Sequence, residues 1–534
     1  MSAEDLLAEL RAPTCFPHAP PAVEIVQTHL SVVCLAGDLV YKLKKAHELP
    51  FVDFSTLAAR RRTCRDEVTL NRRLCPDVYL GTAALRRQDG ALRFAATGDD
   101  DGPDDLDVAV VMRRLPAERM LDRLVDDGAV TRGEIEALAR HIAAFHERAD
   151  RGGATRTAGD PQRLARFAAD NFAELAAMPD HGLSDDLLAA LARASATDFA
   201  RLLPTLQRRA AAGRVVDGHG DLHTRNVCMT TPPAVYDCIE FEPAFRCGDV
   251  ATENAFLVMD LRYRGAPELA AAYERAYVAA SGDTEQPALL APLVAYRAMV
   301  RAKVAALAAA EPTLAAADRD GARTSARRHL WLAAGVTAEA RRPRWLVVCG
   351  PPASGKSSLC RALADALRWP HLATDRVRKE LAGVAPSEPA RDEHYTAEFS
   401  VRTYAALRER AAAATIDGAP VVLLDGNFPT RNHRRDVATA APAAGAEPQL
   451  LFVDVDAVTA AARAAARHED PNDASDADAA ITARLRAGFE PPAEAEGLPI
   501  VRVDGTAPVA GQVEAVLRAL LDGDPTRAPK VESR

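Results

Sequence analysis

Residues 219–226 read His-Gly-Asp-Leu-His-Thr-Arg-Asn and place a carboxylate and a carboxamide five positions apart. Phosphoryl transfer needs a carboxylate beside the attacking hydroxyl and oxygen ligands for a metal ion that neutralises phosphate charge. We therefore expect Asp221 to orient the hydroxyl and accept its proton, and Asn226 to offer its side-chain oxygen to Mg²⁺. His219 is expected to brace the loop. The competing interpretation is a polar turn after a strand, because Gly, Asp and Asn favour turns.

A short hairpin is predicted directly after this loop, because two apolar runs flank a Thr-Thr-Pro-Pro turn. Its second strand delivers Asp237 about a dozen residues after Asn226. Asp237 would supply a carboxylate to the same metal ion, and Glu240 offers the same chemistry three residues later. We favour Asp237, because Val235 and Tyr236 lead it out of the strand, and we keep Glu240 as the alternative.

The loop and the carboxylates after it resemble the aminoglycoside phosphotransferase-like branch of the protein-kinase fold, whose loop reads H-G-D-x-x-x-x-N. That branch usually continues with Ile-Asp and then a Gly-Asp pair. This chain departs from the pattern, with Asp237, then Ile239-Glu240, then Gly248-Asp249. The departure leaves the metal carboxylate open between Asp237 and Glu240. The resemblance implies a two-lobed fold that uses ATP and Mg²⁺.

A kinase-like N-terminal lobe requires a lysine that neutralises the ATP phosphates, and the run Val-Tyr-Lys-Leu-Lys at 40–44 offers two. Lys42 is preferred, because an apolar neighbour on its face would desolvate it, and Lys44 is the alternative. Solvated lysines on an edge strand are the competing interpretation. A helix predicted over 55–74 carries Glu67, roughly where the resemblance places the partner of the strand lysine. A surface glutamate fits the sequence equally well.

Residues 350–357, Gly-Pro-Pro-Ala-Ser-Gly-Lys-Ser, form the pattern G-x-x-x-x-G-K-S between a short apolar strand and an Ala/Leu-rich helix. In such a loop, backbone N–H groups and the helix N-terminus face nucleotide phosphates. Lys356 is expected to contact the β- and γ-phosphates, and Ser357 to ligate Mg²⁺. The residues assigned to the nucleotide are Gly350, Ser354, Gly355, Lys356, Ser357 and Ser358.

Two predicted strands further along the chain end in carboxylates, at Asp375 and at Asp425. The carboxyl ends of parallel strands meet at one edge of a sheet, so both side chains are expected near the phosphate loop. Asp425 occupies a Walker-B-like position and would complete the Mg²⁺ shell. Asp375 would then be free to accept a hydrogen bond from the acceptor hydroxyl. Its competing interpretation is a helix cap, a role that Asp fills well.

This half of the chain resembles small P-loop kinases that act on sugar acids, nucleosides, antibiotics or 5′-hydroxyl polynucleotide ends. The match lies in the phosphate loop, Asp375 with Arg378, Asp425, and a helix bearing Arg463 and Arg467. The resemblance implies that Arg378 orients an anionic acceptor and that the two helical arginines belong to a lid over the transferred group. Those arginines are four residues apart and share a helix face, which a solvated charged surface would also explain.

A chain of 534 residues exceeds one ordinary core, so at least two domains are expected. We predict an α+β, two-lobed kinase-like domain over 1–335, with an N-terminal lobe over about 25–115 and a C-terminal lobe over 116–335. An α/β P-loop domain with a parallel sheet and helices on both faces is predicted over 343–525, and a tail over 526–534. Together the halves resemble a bacterial family of fused phosphotransferase and ATP-binding proteins.

The composition restricts the partners and the location that we expect. A net charge of −9 and a pI of about 5.9 weigh against a nucleic-acid partner. Nine scattered cysteines without a C-x-x-C pair indicate neither a disulfide framework nor a zinc site. No apolar run reaches the length of a membrane span, so we expect a cytoplasmic protein without a membrane partner.

The sequence therefore predicts a bifunctional ATP-dependent phosphotransferase, with ATP and Mg²⁺ at both sites and small-molecule hydroxyl acceptors. In the alternative, the P-loop half is a polynucleotide 5′-hydroxyl kinase or a regulatory ATPase. The kinase-like half would then modify or sense a partner.

Overall fold

The computed structural model describes residues 3–28, 30–49, 52–179, 181–385, 388, 391–467 and 485–523. Its contacts divide the chain into two compact units. The first unit comprises Met1–Phe167 and Phe199–Val294, and the second comprises Ala168–Asp198 and Ala295–Arg534. The second unit thus includes helical segments before residue 335, which the sequence analysis placed in the kinase-like domain.

The strands of both units are numbered in chain order. They are β1 Val23–Gln27, β2 Ser31–Ala36, β3 Leu39–Lys44, β4 Glu48–Leu49, β5 Val52–Asp53, β6 Tyr79–Gln88, β7 Ala91–Phe94, β8 Asp107–Arg113, β9 Val215–Asp217, β10 Val227–Cys228, β11 Ala234–Val235, β12 Cys247–Asp249, β13 Arg344–Cys349, β14 His371–Ala373, β15 Val421–Asp425, β16 Glu447–Asp454 and β17 Ile500–Asp504.

The α-helices are numbered in the same way. They are α1 Ala3–Leu10, α2 Leu57–Asn71, α3 Leu121–Asp126, α4 Arg132–Arg148, α5 Gly153–Ala158, α6 Pro161–Ala177, α7 Asp185–Ala211, α8 Pro243–Arg246, α9 Val250–Tyr263, α10 Pro267–Ser281, α11 Pro287–Ala310, α12 Ala316–Glu339, α13 Lys356–Leu367, α14 Thr374–Ala382, α15 Ala397–Ile416, α16 Arg431–Ala443, α17 Ala457–Arg467 and α18 Val509–Asp522.

The first unit contains a six-stranded antiparallel sheet with the strand order β1-β2-β3-β8-β6-β7. Helix α2 packs on β6 and β8, and its buried residues include Cys64, Glu67 and Val68. Glu67 therefore faces the sheet that carries the two strand lysines. The predicted hairpin is present as β10 and β11, and helix α10 packs against both α4 and α9.

The second unit contains a five-stranded parallel sheet with the order β14-β15-β13-β16-β17. Every residue of β13 and of β15 is buried, so both faces of the central strands are covered, as parallel sheets require. Helices α15 and α16 contribute to one hydrophobic cluster with alternate β13 side chains, while α13 packs with α12 and α18. The predicted α/β fold is confirmed.

Two further local features concern a long helix and an acidic segment. Helix α12 begins at Ala316 and runs without interruption through position 320. In the acidic segment at 99–105, Asp100 and Asp105 are buried. Arginines on neighbouring elements, such as Arg65 and Arg86, pair with these two carboxylates and make their burial tolerable.

Several expectations concern parts of the chain outside the described residues or the chain as a whole. The predicted tail at 526–534 lies outside the described residues. All nine cysteines are buried free thiols. Within the described part of the chain, no helix combines the length and apolar character needed to cross a bilayer.

Candidate active sites

The two strand lysines of the first unit belong to one row of alternating charges. Lys42 Nζ lies 2.9 Å from Glu67 Oε1 and 2.5 Å from Asp237 Oδ1. Lys44 Nζ lies 2.5 Å from Glu67 Oε2 and 2.5 Å from Glu240 Oε1. Glu67 is completely buried and bridges both ammonium groups, so the surface interpretation of this residue is wrong.

Exposure separates the two lysine–carboxylate pairs. The Asp237 side chain is 44 % exposed, whereas Glu240 and Lys44 are 5 % and 3 % exposed. Burial raises the pKa of the Glu240 carboxyl, and the charge of Lys44 offsets this only in part. Burial opposes the charge of Lys42, but Asp237 and Glu67 hold its pKa well above the usual value. The geometry thus favours Asp237 over Glu240 for a metal ion, and Lys42 over Lys44 for phosphates.

The loop carboxylate and carboxamide contact each other directly. Asn226 Nδ2 donates to Asp221 Oδ2 over 2.9 Å and to the Asp221 carbonyl oxygen over 3.0 Å. His223 Nε2 lies 3.3 Å from the same Asp221 oxygen, and the Asp221 side chain is 31 % exposed. Because its amide nitrogen is engaged, Asn226 would present its side-chain oxygen to a metal ion.

The β10–β11 hairpin brings the second metal candidate to this loop. Val227 pairs with Val235, and the Tyr236 N–H donates to the Asn226 carbonyl oxygen over 3.0 Å. Asp237 follows immediately with a left-handed backbone, φ +64°, and its N–H donates to the Tyr79 hydroxyl over 3.2 Å. Asn226 and Asp237 therefore lie at the same open end of the hairpin.

His219 braces the loop, as the sequence predicted. Its Nε2–H donates to the Tyr236 carbonyl oxygen over 2.9 Å, while Nδ1 accepts the Asp221 N–H over 3.3 Å. Its own backbone N–H donates to Glu253 Oε2 on α9 over 2.8 Å. Burial lowers the pKa of the imidazole, which favours the neutral ring that this tautomer requires.

Gly220 permits a close backbone approach that another residue would prevent. It has φ +83°, and a Cβ atom there would lie 2.8 Å from the Arg246 Cα atom. The Arg246 Nε atom in turn lies 2.8 Å from Oδ1 of Asp217, the last residue of β9. The glycine in the H-G-D loop thus allows α8 to pack directly against the loop.

The phosphate loop of the second unit joins β13 to α13. Gly350 has φ +151°, and a Cβ atom there would collide with the Val453 carbonyl oxygen. Lys356 is buried, and its Nζ donates to the Pro351 carbonyl oxygen over 2.8 Å. Ser357 is exposed in the first turn of α13, whereas Ser354, a residue of the loop itself, is fully buried.

Asp375 and Asp425 both lie at the carboxyl edge of the parallel sheet. Asp425 ends β15, pairs with Val348 of β13, and is buried, with Oδ2 3.1 Å from His371 Nε2. Asp375 is exposed in the first turn of α14, two residues after β14 ends at Ala373, so the expectation that it ends the strand is wrong. Ala373 is the N-cap of that helix, so Asp375 is not the residue at the cap position.

The three arginines assigned to this half have different surroundings. Arg378 is buried, donates to the His394 carbonyl oxygen over 2.7 Å, and lies over the Tyr395 ring at 4.8 Å. Arg463 donates to the carbonyl oxygens of Ser354, over 3.3 Å, and Gly505, over 2.8 Å. Arg463 is thus anchored on the phosphate loop. The side chain of Arg467 lies outside the described residues.

Several positioning residues were missed in the sequence. Arg73 donates to the Asp217 and Gly218 carbonyl oxygens over 2.9 and 2.7 Å, and Glu253 accepts from the loop backbone. In the second unit, His371 contacts Asp425. Arg73 and Glu253 are distant from the loop in sequence and carry no motif. His371 was within reach, because it begins the strand that leads to Asp375.

The donor sets fit Mg²⁺ at both sites. Asp237 and Asn226 supply a carboxylate and an amide oxygen in the first unit, and Ser357 and Asp425 supply a hydroxyl and a carboxylate in the second. These are the hard oxygen ligands that Mg²⁺ takes beside nucleotide phosphates.

Two family models match the chain in the regions that carry these sites. Residues 75–290 match the Phosphotransferase enzyme family, and residues 346–492 match an AAA domain model of P-loop type. The fold, the sites and these matches define a kinase-type phosphotransferase with a fused P-loop kinase-like domain. The predicted resemblance, fold class and enzyme class are confirmed.

The chain is similar to mycobacterial proteins along most of its length. It is 33 % identical over 382 residues to uncharacterized proteins of Mycobacterium tuberculosis and Mycobacterium bovis, covering 70 % of this chain and 73 % of theirs. The chain belongs to the same family as these proteins.

Solved structures similar to the chain correspond to one part of it. A gluconokinase from Sinorhizobium meliloti is 24 % identical, with 34 % of this chain and 93 % of that chain covered and a TM-score of 0.24. Shikimate kinase from Aquifex aeolicus is 16 % identical, with 33 % and 95 % covered and a TM-score of 0.24.

Proposed function

We propose that the protein is a bifunctional ATP-dependent phosphotransferase whose two units each transfer the γ-phosphate of ATP to a hydroxyl of a small molecule. One observation carries the proposal: each unit holds a cation for the phosphates, oxygen ligands for Mg²⁺ and a carboxylate for the acceptor. The net charge of −9 supports small-molecule acceptors over nucleic acid.

In the first unit, Asp221 accepts a hydrogen bond from the acceptor hydroxyl and takes its proton as the phosphoryl group is transferred. Its exposure leaves it open to an acceptor, while Asn226 and His223 fix its orientation. Lys42 binds the phosphates and is held by Glu67. Bound Mg²⁺ would neutralise phosphate charge beside Asp237 and Asn226.

In the second unit, Lys356 and the backbone of the phosphate loop bind the nucleotide phosphates, and Ser357 and Asp425 would hold Mg²⁺. Asp375 accepts the hydrogen bond of the second acceptor hydroxyl, and Arg378 orients an anionic group of that acceptor. Arg463 lies on the phosphate loop, where its charge would stabilise the transferred phosphoryl group.

A phosphotransfer screen with carboxylate variants tests the proposal. Sugars, aminoglycosides, nucleosides and 5′-hydroxyl oligonucleotides are offered with ATP and Mg²⁺ to the wild type, Asp221→Asn and Asp375→Asn. Each variant should lose about 10²-fold or more of the transfer to one acceptor and retain transfer to the other. Asp66→Asn and Asp417→Asn, exposed positions in the two units, are the matched controls.

The outcomes separate the alternatives. Transfer to oligonucleotides alone would contradict small-molecule acceptors for the P-loop unit. Wild-type transfer in both variants would contradict the assigned carboxylates. A single variant that abolishes every transfer would contradict two independent activities.

A further inference from the structure

Three potential metal ligands of different chemistry meet in the second unit, beside the P-loop site. Cys360 lies on α13, His371 begins β14 and Asp425 ends β15. One ligand atom from each, the thiol sulfur, an imidazole nitrogen and a carboxylate oxygen, lies within 4.8 Å of the other two. Their sequence positions form no metal-binding pattern, so only the fold reveals this cluster.

The sheet and the P-loop helix fix the cluster in place. Strands β14 and β15 are parallel, with Ala373 opposite Asp425, and His371 Nε2 lies 3.1 Å from Asp425 Oδ2. Cys360 follows Ser357 by three residues and therefore lies one turn along the same face of α13. Asp425 is thus a neighbour of the Cys360 thiol and the His371 imidazole as well as a predicted Mg²⁺ ligand.

The donor set differs from that of a magnesium site. A thiolate, an imidazole and a carboxylate are typical ligands of Zn²⁺ and related borderline cations, whereas Mg²⁺ takes oxygen ligands alone. Three protein ligands with a fourth position for water are a common zinc arrangement.

The distances suit such a cation after small side-chain movements. Zinc bonds of about 2.0–2.3 Å in a tetrahedron place neighbouring ligand atoms about 3.5 Å apart. The His371 and Asp425 atoms are already at 3.1 Å. All three separations are at most 4.8 Å, so none would have to shorten by more than about 1.3 Å to reach the tetrahedral spacing.

We infer that Cys360, His371 and Asp425 form a site for a borderline divalent cation of the Zn²⁺ class, and that its occupation withdraws Asp425 from Mg²⁺ at the P-loop. The proposed competition with Mg²⁺ rests on the function proposed for Asp425. On binding, the Cys360 S–H bond breaks, a sulfur–metal bond forms and the proton passes to solvent.

Cadmium provides a direct readout of thiolate ligation, because cadmium–thiolate bonds absorb in the ultraviolet. The full-length protein is first treated with a chelator and then titrated with Cd²⁺. The wild type should develop the band and saturate near one equivalent, whereas Cys360→Ser should not develop it. Cys349→Ser is the matched control, because Cys349 is a buried cysteine of the same unit that lies outside the cluster.

His371→Asn provides a second variant in case Cys360→Ser fails to fold, which a thermal melt against Cys349→Ser reveals. It should bind Cd²⁺ at least about tenfold more weakly, since even outer-shell changes cost that much. A full band in Cys360→Ser, an unchanged affinity in His371→Asn, or no band in the wild type would overturn the site.

Nucleotide binding tests the competition separately. Equimolar Zn²⁺ should raise the Mg²⁺ concentration needed for nucleotide binding by the P-loop unit of the wild type but not of Cys360→Ser. Cadmium binding with no change in the Mg²⁺ requirement would overturn the competition with Mg²⁺ and leave the metal site in place. Because the cadmium band needs no turnover, an intact band from a protein that transfers phosphate to no acceptor even before cadmium is added would count against the proposed function and not against the metal site.

Discussion

Lys42 and Lys44 are two residues apart on one strand and share the buried carboxylate of Glu67, yet their outer partners differ. Lys42 contacts the partly exposed Asp237, and Lys44 contacts the buried Glu240. The first pair can open toward a nucleotide, while the second is enclosed. We infer that Lys42 serves the phosphates and that Lys44 ties β3 to α2 and to the segment after β11.

Substitution of each lysine by methionine separates these roles. Lys44→Met should destabilise the protein by about 3–5 kcal/mol, because removing one partner leaves buried carboxylates without compensation. Lys42→Met should lower phosphotransfer by the first unit about 10²-fold or more with a smaller loss of stability. Thermal melts and single-acceptor assays measure both quantities. If Lys44→Met were as stable as the wild type but lost phosphotransfer by the first unit, Lys44 would be the phosphate lysine.

At the scale of elements, helix α9 holds the catalytic loop through Glu253. Its Oε2 accepts the His219 N–H, and its Oε1 lies 3.4 Å from His146 Nε2 on α4. Burial raises the pKa of this carboxyl, but His146 and its other contacts outweigh burial and lower the pKa from 4.5 to about 2. The charged form therefore stabilises the folded protein.

This depressed pKa predicts a pH window for stability. The contribution of Glu253, on the order of 3 kcal/mol, is present above pH 4.5 and is lost as the pH falls through about 2. Glu253→Gln should therefore be less stable than the wild type at neutral pH, and the difference should shrink toward pH 2. Denaturant unfolding at several pH values measures this difference. A difference that is constant with pH, or equal to that of the exposed control Glu268→Gln, would contradict the role.

The elements that carry chemistry were predictable because their motifs are local. The hairpin after the loop, the strand–loop–helix around Lys356 and the strand end at Asp425 all follow from short patterns in the sequence, whereas Asp375 lies in the helix after its strand. Contacts between distant segments were not predictable. One example is the arginine pairing that accompanies the burial of Asp100, and another is the contact between Glu253 and the loop. Both depend on elements far apart in the chain.

Alternatives within the motifs needed the structure as well. The sequence favoured Asp237 but kept Glu240 as an alternative, because both residues follow the same strand. The structure distinguishes them by exposure and by partner, which depend on how β3 and α2 pack. The acceptors remain a proposal at this scale, since the residues around Asp221 and Asp375 carry no recognisable code for a particular molecule.

At the scale of the whole molecule, we propose that one chain carries two nucleotide sites. The loop around Asp221 belongs to the first unit, and the loop around Lys356 belongs to the second. In the proposed function each loop has its own phosphate cation and its own metal ligands, so removing one cation should leave the other site intact.

Calorimetric titration with a non-hydrolysable ATP analogue and Mg²⁺ tests this claim most directly. The wild type should bind about two equivalents per chain, and Lys42→Met and Lys356→Ala should each bind about one, as two separate phosphate sites require. The double variant should bind none with measurable affinity. A wild-type stoichiometry of one that Lys356→Ala leaves unchanged would contradict the account, because the P-loop would then bind no nucleotide.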